Sequence, residues 1–251
     1  MLSLGLQFQR SCGAMFDGDC LGPDVSGVRL FGSLVRGDAD YQSDRDILVL
    51  VRGSTPPASI QEIIRVWREK DYDVSVYTEE RYCQMHRNGH LFTWHVFRES
   101  KALDLELRPT NAADLIDTLG LPAVYRHASS DGDTLFRLLD ASVDNLQEDT
   151  CSEVYEAGLL YVIARNLAII ASWQLEHLCF SVHAPYVVGG QVRSPFPLSL
   201  SVYDLLRRCR KASAGTLPAP KLSRQELLTW AAAIKTWVSG FYSLISGEQS
   251  V

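Results

Sequence analysis

Two aspartates placed one residue apart, Asp44 and Asp46, stand at the mouth of the run Ile47-Leu48-Val49-Leu50-Val51. An unbroken apolar run of this kind reads as a strand covered on both faces, and so as a central strand with layers packed on either side. Aspartate is depleted from such strands, and taking a carboxylate out of water is costly without a compensating partner. Residues i and i+2 of a strand share a face, so Asp44 and Asp46 point together with their Cα atoms roughly 6.5 Å apart, while Arg45 points away. That spacing suits carboxylates that reach a pair of divalent ions about 3.5–4 Å apart. Two magnesium ions are expected, because magnesium takes oxygen ligands and shares its sphere with substrate phosphates; manganese is an acceptable substitute.

Upstream, Val25 to Phe31 reads as a first strand that delivers the chain to Gly32-Ser33. Glycine lets the backbone approach a phosphate or take a left-handed turn, and the serine adds a hydroxyl to the nearby backbone donors. A phosphate seat thus faces a metal seat. Gly32-Ser33, ten residues, then Asp44-x-Asp46 resembles the signature of minimal nucleotidyltransferases in the DNA polymerase β-like superfamily. The finer pattern is filled by Gly32, Ser33, Arg36, Gly37, Ala39, Ser43, Asp44 and Asp46.

The resemblance implies a small mixed sheet with flanking helices, an α/β fold, followed by an all-α helical bundle. It implies nucleotide contacts from Gly32, Ser33, Arg36 and Ser43, and metal-binding catalytic carboxylates at Asp44 and Asp46. A third carboxylate is expected from the strand after the intervening helix. Here Ser59 to Lys70 keeps helical spacing at Ile60, Ile63, Ile64 and Trp67, and Asp73 to Tyr77 alternates, with Val74 and Val76 on one face and Asp73, Ser75 and Tyr77 on the other. Asp73 is the choice for the third ligand, and Asp71, of the same parity, competes with it.

Glu79 to Asn88 and His90 to Arg98 read as helices, and Ala102 to Leu107 as a further strand, which closes a nucleotidyltransferase domain over residues 1–110. At most a short helix is expected within residues 2–20. From 111 to 251 the apolar residues recur at helical intervals over Leu135–Leu146, Val154–Leu178, Val202–Cys209 and Gln225–Ile245, and the Gly/Pro-rich stretches between read as loops. Arg165, in the longest of these, either closes over a substrate or is a buried arginine satisfied by an acid such as Glu156. No histidine follows Arg165 at the spacing of the helical HEPN ribonucleases, which argues against a fused RNase.

The six cysteines form no CxxC pair, and His86 and His90 lack a third ligand for zinc, so free thiols and packed histidines are the reading. With no basic, apolar leader and no uninterrupted apolar span of about 18 residues, the chain reads as cytoplasmic, without a membrane partner. A formal net charge of −6 argues against a surface devoted to nucleic acid. The compact basic cluster Arg207, Arg208, Arg210 and Lys211 complements a helix C-terminus, and offers the one local route to RNA or a triphosphate. The expected reaction is metal-dependent transfer of an NMP from an NTP, ATP first, to an acceptor hydroxyl. The acceptor ranking is a protein in a toxin–antitoxin or defence setting, then a small molecule of the antibiotic type, then RNA, with a non-catalytic nucleotide-binding module as the remaining alternative.

Overall fold

The structure is a computed structural model that describes residues 24–40, 43–103, 115–148, 151–215 and 217–246. It forms two compact units, residues 1–125 and 126–251. The N-terminal helix considered for residues 2–20 lies outside the described residues, as do positions 104–107 of the strand expected over Ala102–Leu107.

The first unit is built on four strands, β1 (Val25–Phe31), β2 (Arg45–Val51), β3 (Tyr72–Thr78) and β4 (Ser100–Ala102), in the order β3-β2-β1-β4. β1 runs antiparallel to both neighbours, and β2 runs parallel to β3. Helix α1 (Ser33–Arg36) follows β1, and α2 (Pro57–Arg68) makes the crossover that a parallel pair requires. α3 (Glu79–Arg87) and α4 (Leu91–Glu99) lead to β4, and α5 (Leu115–Leu119) follows.

Both faces of the sheet are covered, as the continuous apolar run of β2 demands. Ile47, Val49 and Val51 pack on one side with Ile63, Trp67 and Tyr72, while Leu48 and Leu50 pack on the other with Phe31, Tyr82, Val96 and Ile116. Pro57, with φ fixed at a helical value, starts α2, and Thr78 caps α3 by accepting a hydrogen bond from the Arg81 backbone N–H. Ile116 of α5 sits in the second of these cores, so the chain leaves the unit after Tyr125 and not near residue 110.

Among its described residues the second unit has only helices and loops: α6 (Ala128–Gln147), α7 (Glu153–Gln174), α8 (Ala184–Gln191), α9 (Leu200–Ser213), α10 (Arg224–Ser239) and α11 (Tyr242–Ser246). Helix α7 is its axis, packed by α6, α8, α9 and α10, with Leu160, Ile163, Ala164, Leu167 and Ala168 wholly buried. Length and composition would let α7 cross a membrane, but most of its apolar span is buried inside the bundle, as in a core helix.

Three expectations are corrected here. The Gly/Pro stretch around residue 185 contains a helix, α8, because Pro185 occupies its first turn, where no N–H is needed, and Gly189 allows the backbone of Phe196 to approach. The last helical stretch breaks at Gly240 into α10 and α11. Arg165 is not matched by Glu156. Its guanidinium donates to the Phe180 carbonyl at 2.7 Å, while Glu156, buried, accepts from the Ser142 hydroxyl at 2.6 Å and the Asn145 amide at 3.0 Å.

Gly158 of α7 marks a close helix approach, since a Cβ there would lie 2.8 Å from the Arg210 Cα and 2.9 Å from its nitrogen. Alanine is the better helix former by about 1 kcal/mol, but forcing a methyl against backbone costs about 1–3 kcal/mol. Gly158→Ala is therefore expected to lower the urea midpoint with an unchanged slope. A variant as stable as the parent would show that α9 moves aside freely.

Candidate active site

The strand register decides which acids meet. In the parallel β2/β3 pair Asp46 stands directly opposite Asp73, and Ile47 opposite Val74. Neighbouring strands lie about 4.8 Å apart, so these two carboxylates project side by side from one face. It is the face of Leu48, Leu50 and Tyr77, beside α3 and α4. Asp44 precedes β2 with the same parity, exposed, one pleat beyond the half-buried Asp46.

Asp71 is placed differently. It takes a left-handed backbone conformation, φ 62°, where its N–H donates to the Arg68 carbonyl at 3.0 Å, and it ends the helix–strand turn outside the paired strand. Asp tolerates that conformation better than most residues.

β1 brings the other half of the site. Its end is fixed by the pairing of Leu30 with Ile47 and of Phe31 with Ser100. Gly32 then turns at φ 77°, ψ −146°, and a Cβ built on it would lie 2.6 Å from the Asp46 Oδ2. The torsion favours glycine, and a Cβ would fit only if the Asp46 carboxylate moved. Ser33 opens α1, which Gly37 closes in the left-handed conformation, φ 83°.

Arg36 and Ser43, the other two expected nucleotide contacts, bind within the protein. The Arg36 Nε donates to the Asp38 carboxylate at 3.1 and 3.2 Å, and its Nη1 donates to Glu99. Ser43 donates to the Asp40 carboxylate at 2.8 Å and accepts from the Asp40 N–H at 2.9 Å, which closes the loop leading into Asp44. Burial works against ionisation of Glu99, yet the Arg36 guanidinium and the His95 ring beside it outweigh burial and hold the carboxyl below the usual range. A carboxyl lowered in the fold stabilises it above the ordinary glutamate pKa, and that contribution is lost as pH falls through the lowered value. Sequence reasoning passed over Glu99; the available signal was the i, i+4 spacing of His95 and Glu99 on one helix.

The basic cluster is not one patch. Arg207 is buried in the bundle, 7% exposed, while Arg208 and Arg210 are exposed and Lys211 is half-buried. Helical periodicity turns Arg207 onto the inner face of α9 beside Tyr203 and Leu206.

Among the described residues no three His, Cys, Asp or Glu side chains stand together as a ready-made metal cage. The donor set still fits a hard divalent ion: it is all carboxylate oxygen, two members are paired in register, and Asp44 stands two residues before Asp46.

A small mixed sheet carrying a Gly-Ser turn against paired strand aspartates defines a nucleotidyltransferase domain. Residues 20–92 match the family model described as nucleotidyltransferase domain, so the chain carries such a domain, with the polymerase β-like fold followed by helices, and is a nucleotidyl transfer enzyme. Among solved structures it is similar to the spectinomycin adenyltransferase AAD(9) from Enterococcus faecialis, crystallised with ATP and spectinomycin. The identity is 12% and the TM-score 0.50, with 93% of this chain and 99% of that chain covered. No curated protein sequence matches the chain.

Gly32→Ala tests the close approach. The methyl must displace the Asp46 carboxylate and strain a positive φ, so transfer activity is expected to fall at least a hundredfold while the fold survives. Near-parental turnover would show that Asp46 tolerates displacement.

Proposed function

We propose that this enzyme transfers AMP from ATP to a hydroxyl of a small-molecule acceptor, releasing pyrophosphate. The observation that carries the reading is the registered pair Asp46 and Asp73 beside the Gly32 turn. Asp44, Asp46 and Asp73 would hold divalent metal, two magnesium ions by the chemistry of the donors. When bound, such metal neutralises phosphate charge and lowers the pKa of an acceptor hydroxyl.

The protein's own part is positioning. Gly32 and Ser33 seat the β- and γ-phosphates, the glycine by letting the backbone come close. Arg36 and Ser43 act indirectly, by shaping the turn and the loop on either side. Asp46 and Asp73 present carboxylate to one face from a sheet buried on both sides, so their separation is set by strand pairing and does not depend on a mobile loop. Asp73 would also take the proton of the attacking hydroxyl. Holding acceptor and α-phosphorus in line is the largest service a protein offers such a displacement.

What supports a small-molecule acceptor is the whole-chain likeness. The spectinomycin adenyltransferase aligns over both units, and that protein was crystallised with ATP and a small molecule, which moves a small-molecule acceptor ahead of a protein one. Nothing among the described residues favours a protein acceptor or a toxin–antitoxin setting, and the inward turn of Arg207 counts against RNA. A cytoplasmic location agrees with a reaction that draws on ATP.

Incubation with magnesium, α-labelled ATP and a panel of aminocyclitol and aminoglycoside compounds tests the reading, with label expected in the small-molecule fraction. Asp46→Asn and Asp73→Ala are expected to cut that transfer at least a hundredfold, and Asp71→Ala to leave it within a few-fold. Without metal, Asp46→Asn should melt at or above the parent temperature, because one repelling charge has been removed. Label confined to protein or RNA, or full activity in Asp73→Ala with none in Asp71→Ala, would sink the assignment.

A further inference from the structure

The Gly32–Gly37 turn cannot hold itself. Its helix α1 is four residues long, well short of the length at which a helix becomes stable alone, and a glycine with positive φ bounds it at each end. Something outside the turn must tie it down, and two polar ties run to Glu99. The Glu99 carbonyl accepts the Gly32 N–H at 3.1 Å, and the Glu99 carboxylate accepts from Arg36. The same carboxylate oxygen meets the His95 Nε2 at 3.0 Å, and the His95 ring stands edge-on to Phe31, at the end of β1, at 5.3 Å.

The side chains of Glu99 and His95 are each 14% exposed and that of Arg36 is 20% exposed, so this chain of contacts is largely withdrawn from water. Removing one member of such a pair leaves the other's charge poorly solvated and unmatched. Charge also decides what Arg36 does. With Asp38 on its Nε and Glu99 on its Nη1, the guanidinium faces two carboxylates and has no surplus positive charge to offer a triphosphate.

We propose that Glu99 is a positioning residue of the nucleotide site: backed by His95, it grips Arg36 and the Gly32 amide, and so keeps the turn against the Asp46 carboxylate. Arg36 is the handle by which the turn is held and makes no contact with phosphate. The inference rests on the nucleotidyl-transfer reading for its effect on nucleotide binding, and on the contacts alone for the pinning of the turn.

The test uses the full chain with the variants Glu99→Ala, Glu99→Gln and Arg36→Ala, and the double Ala variant. Two measurements are made: calorimetric binding of a non-hydrolysable magnesium–ATP analogue, and hydrogen exchange of the residue 32–38 amides without nucleotide. Glu99→Ala and Arg36→Ala are each expected to weaken the analogue about tenfold, and the double variant no further, as for two residues acting through one contact. Glu99→Gln, which keeps an acceptor for Arg36, should recover part of the loss. Amides of the turn should exchange faster in Glu99→Ala while those of β2 do not change.

If Arg36→Ala weakens binding and Glu99→Ala does not, or if the losses add, Arg36 is a phosphate ligand and the proposal falls. If the parent binds no analogue, the nucleotide reading fails by itself; exchange then decides the pinning, and unchanged exchange in Glu99→Ala overturns it. Should Glu99→Ala not fold, Glu99→Gln and Arg36→Ala carry the same comparison.

Discussion

The parallel pairing of β2 with β3 is the constraint on which the site depends. Parallel strands need a crossover, α2 supplies it, and the apolar face of that helix, Ile63 and Trp67, covers one side of the sheet. Tyr82 and Val96, from α3 and α4, cover the other. A strand buried on both faces has no freedom to slip, because a shift by one residue would carry every side chain to the wrong side. Asp46 opposite Asp73 is therefore a consequence of packing along the rest of the strand, at Ile47, Val49 and Val51. The carboxylates sit at the sheet's edge, but their spacing is set in its core.

The Gly32 turn is joined to this frame from two directions. Toward β2 the join is steric, the lack of a side chain bringing backbone against the Asp46 carboxylate. Toward α4 it is polar, through Glu99, Arg36 and His95. Steric and polar joins fail differently. A methyl at Gly32 moves a reacting group directly, whereas loss of Glu99 loosens the turn and leaves the carboxylates in register.

The helical unit follows another logic. Its central helix α7 is mostly apolar, and its polar residues are satisfied within the bundle: Glu156 by Ser142 and Asn145, Arg165 by a carbonyl. Small residues allow close approaches, Gly158 against α9 and Gly189 against the chain after α8. Burial of Arg207 and Tyr203 on the inner face of α9 divides what looks in one dimension like a continuous basic patch.

Much of the catalytic unit was legible in one dimension, because its signals are local. The run Ile47–Val51, the alternation at Val74 and Val76, and the Gly-Ser and Asp-x-Asp spacing each depend on residues a few positions apart, and each appears at its expected place in a strand or turn. Helices α2, α6, α7, α9 and α10 were likewise visible from their apolar period. Other features rest on contacts between distant residues, which no local pattern encodes. The partner of Asp46 depended on a register set by two buried faces. The role of Arg36 depended on Glu99, 63 positions away. The end of the first unit depended on Ile116 returning to the sheet, and the division of the basic cluster on which face of α9 the bundle buries. Local composition determined that the chain carries paired acids at the mouth of a buried strand. Only tertiary packing decided which acids meet and which cations remain available, because burial and ion pairing are properties of neighbours in space.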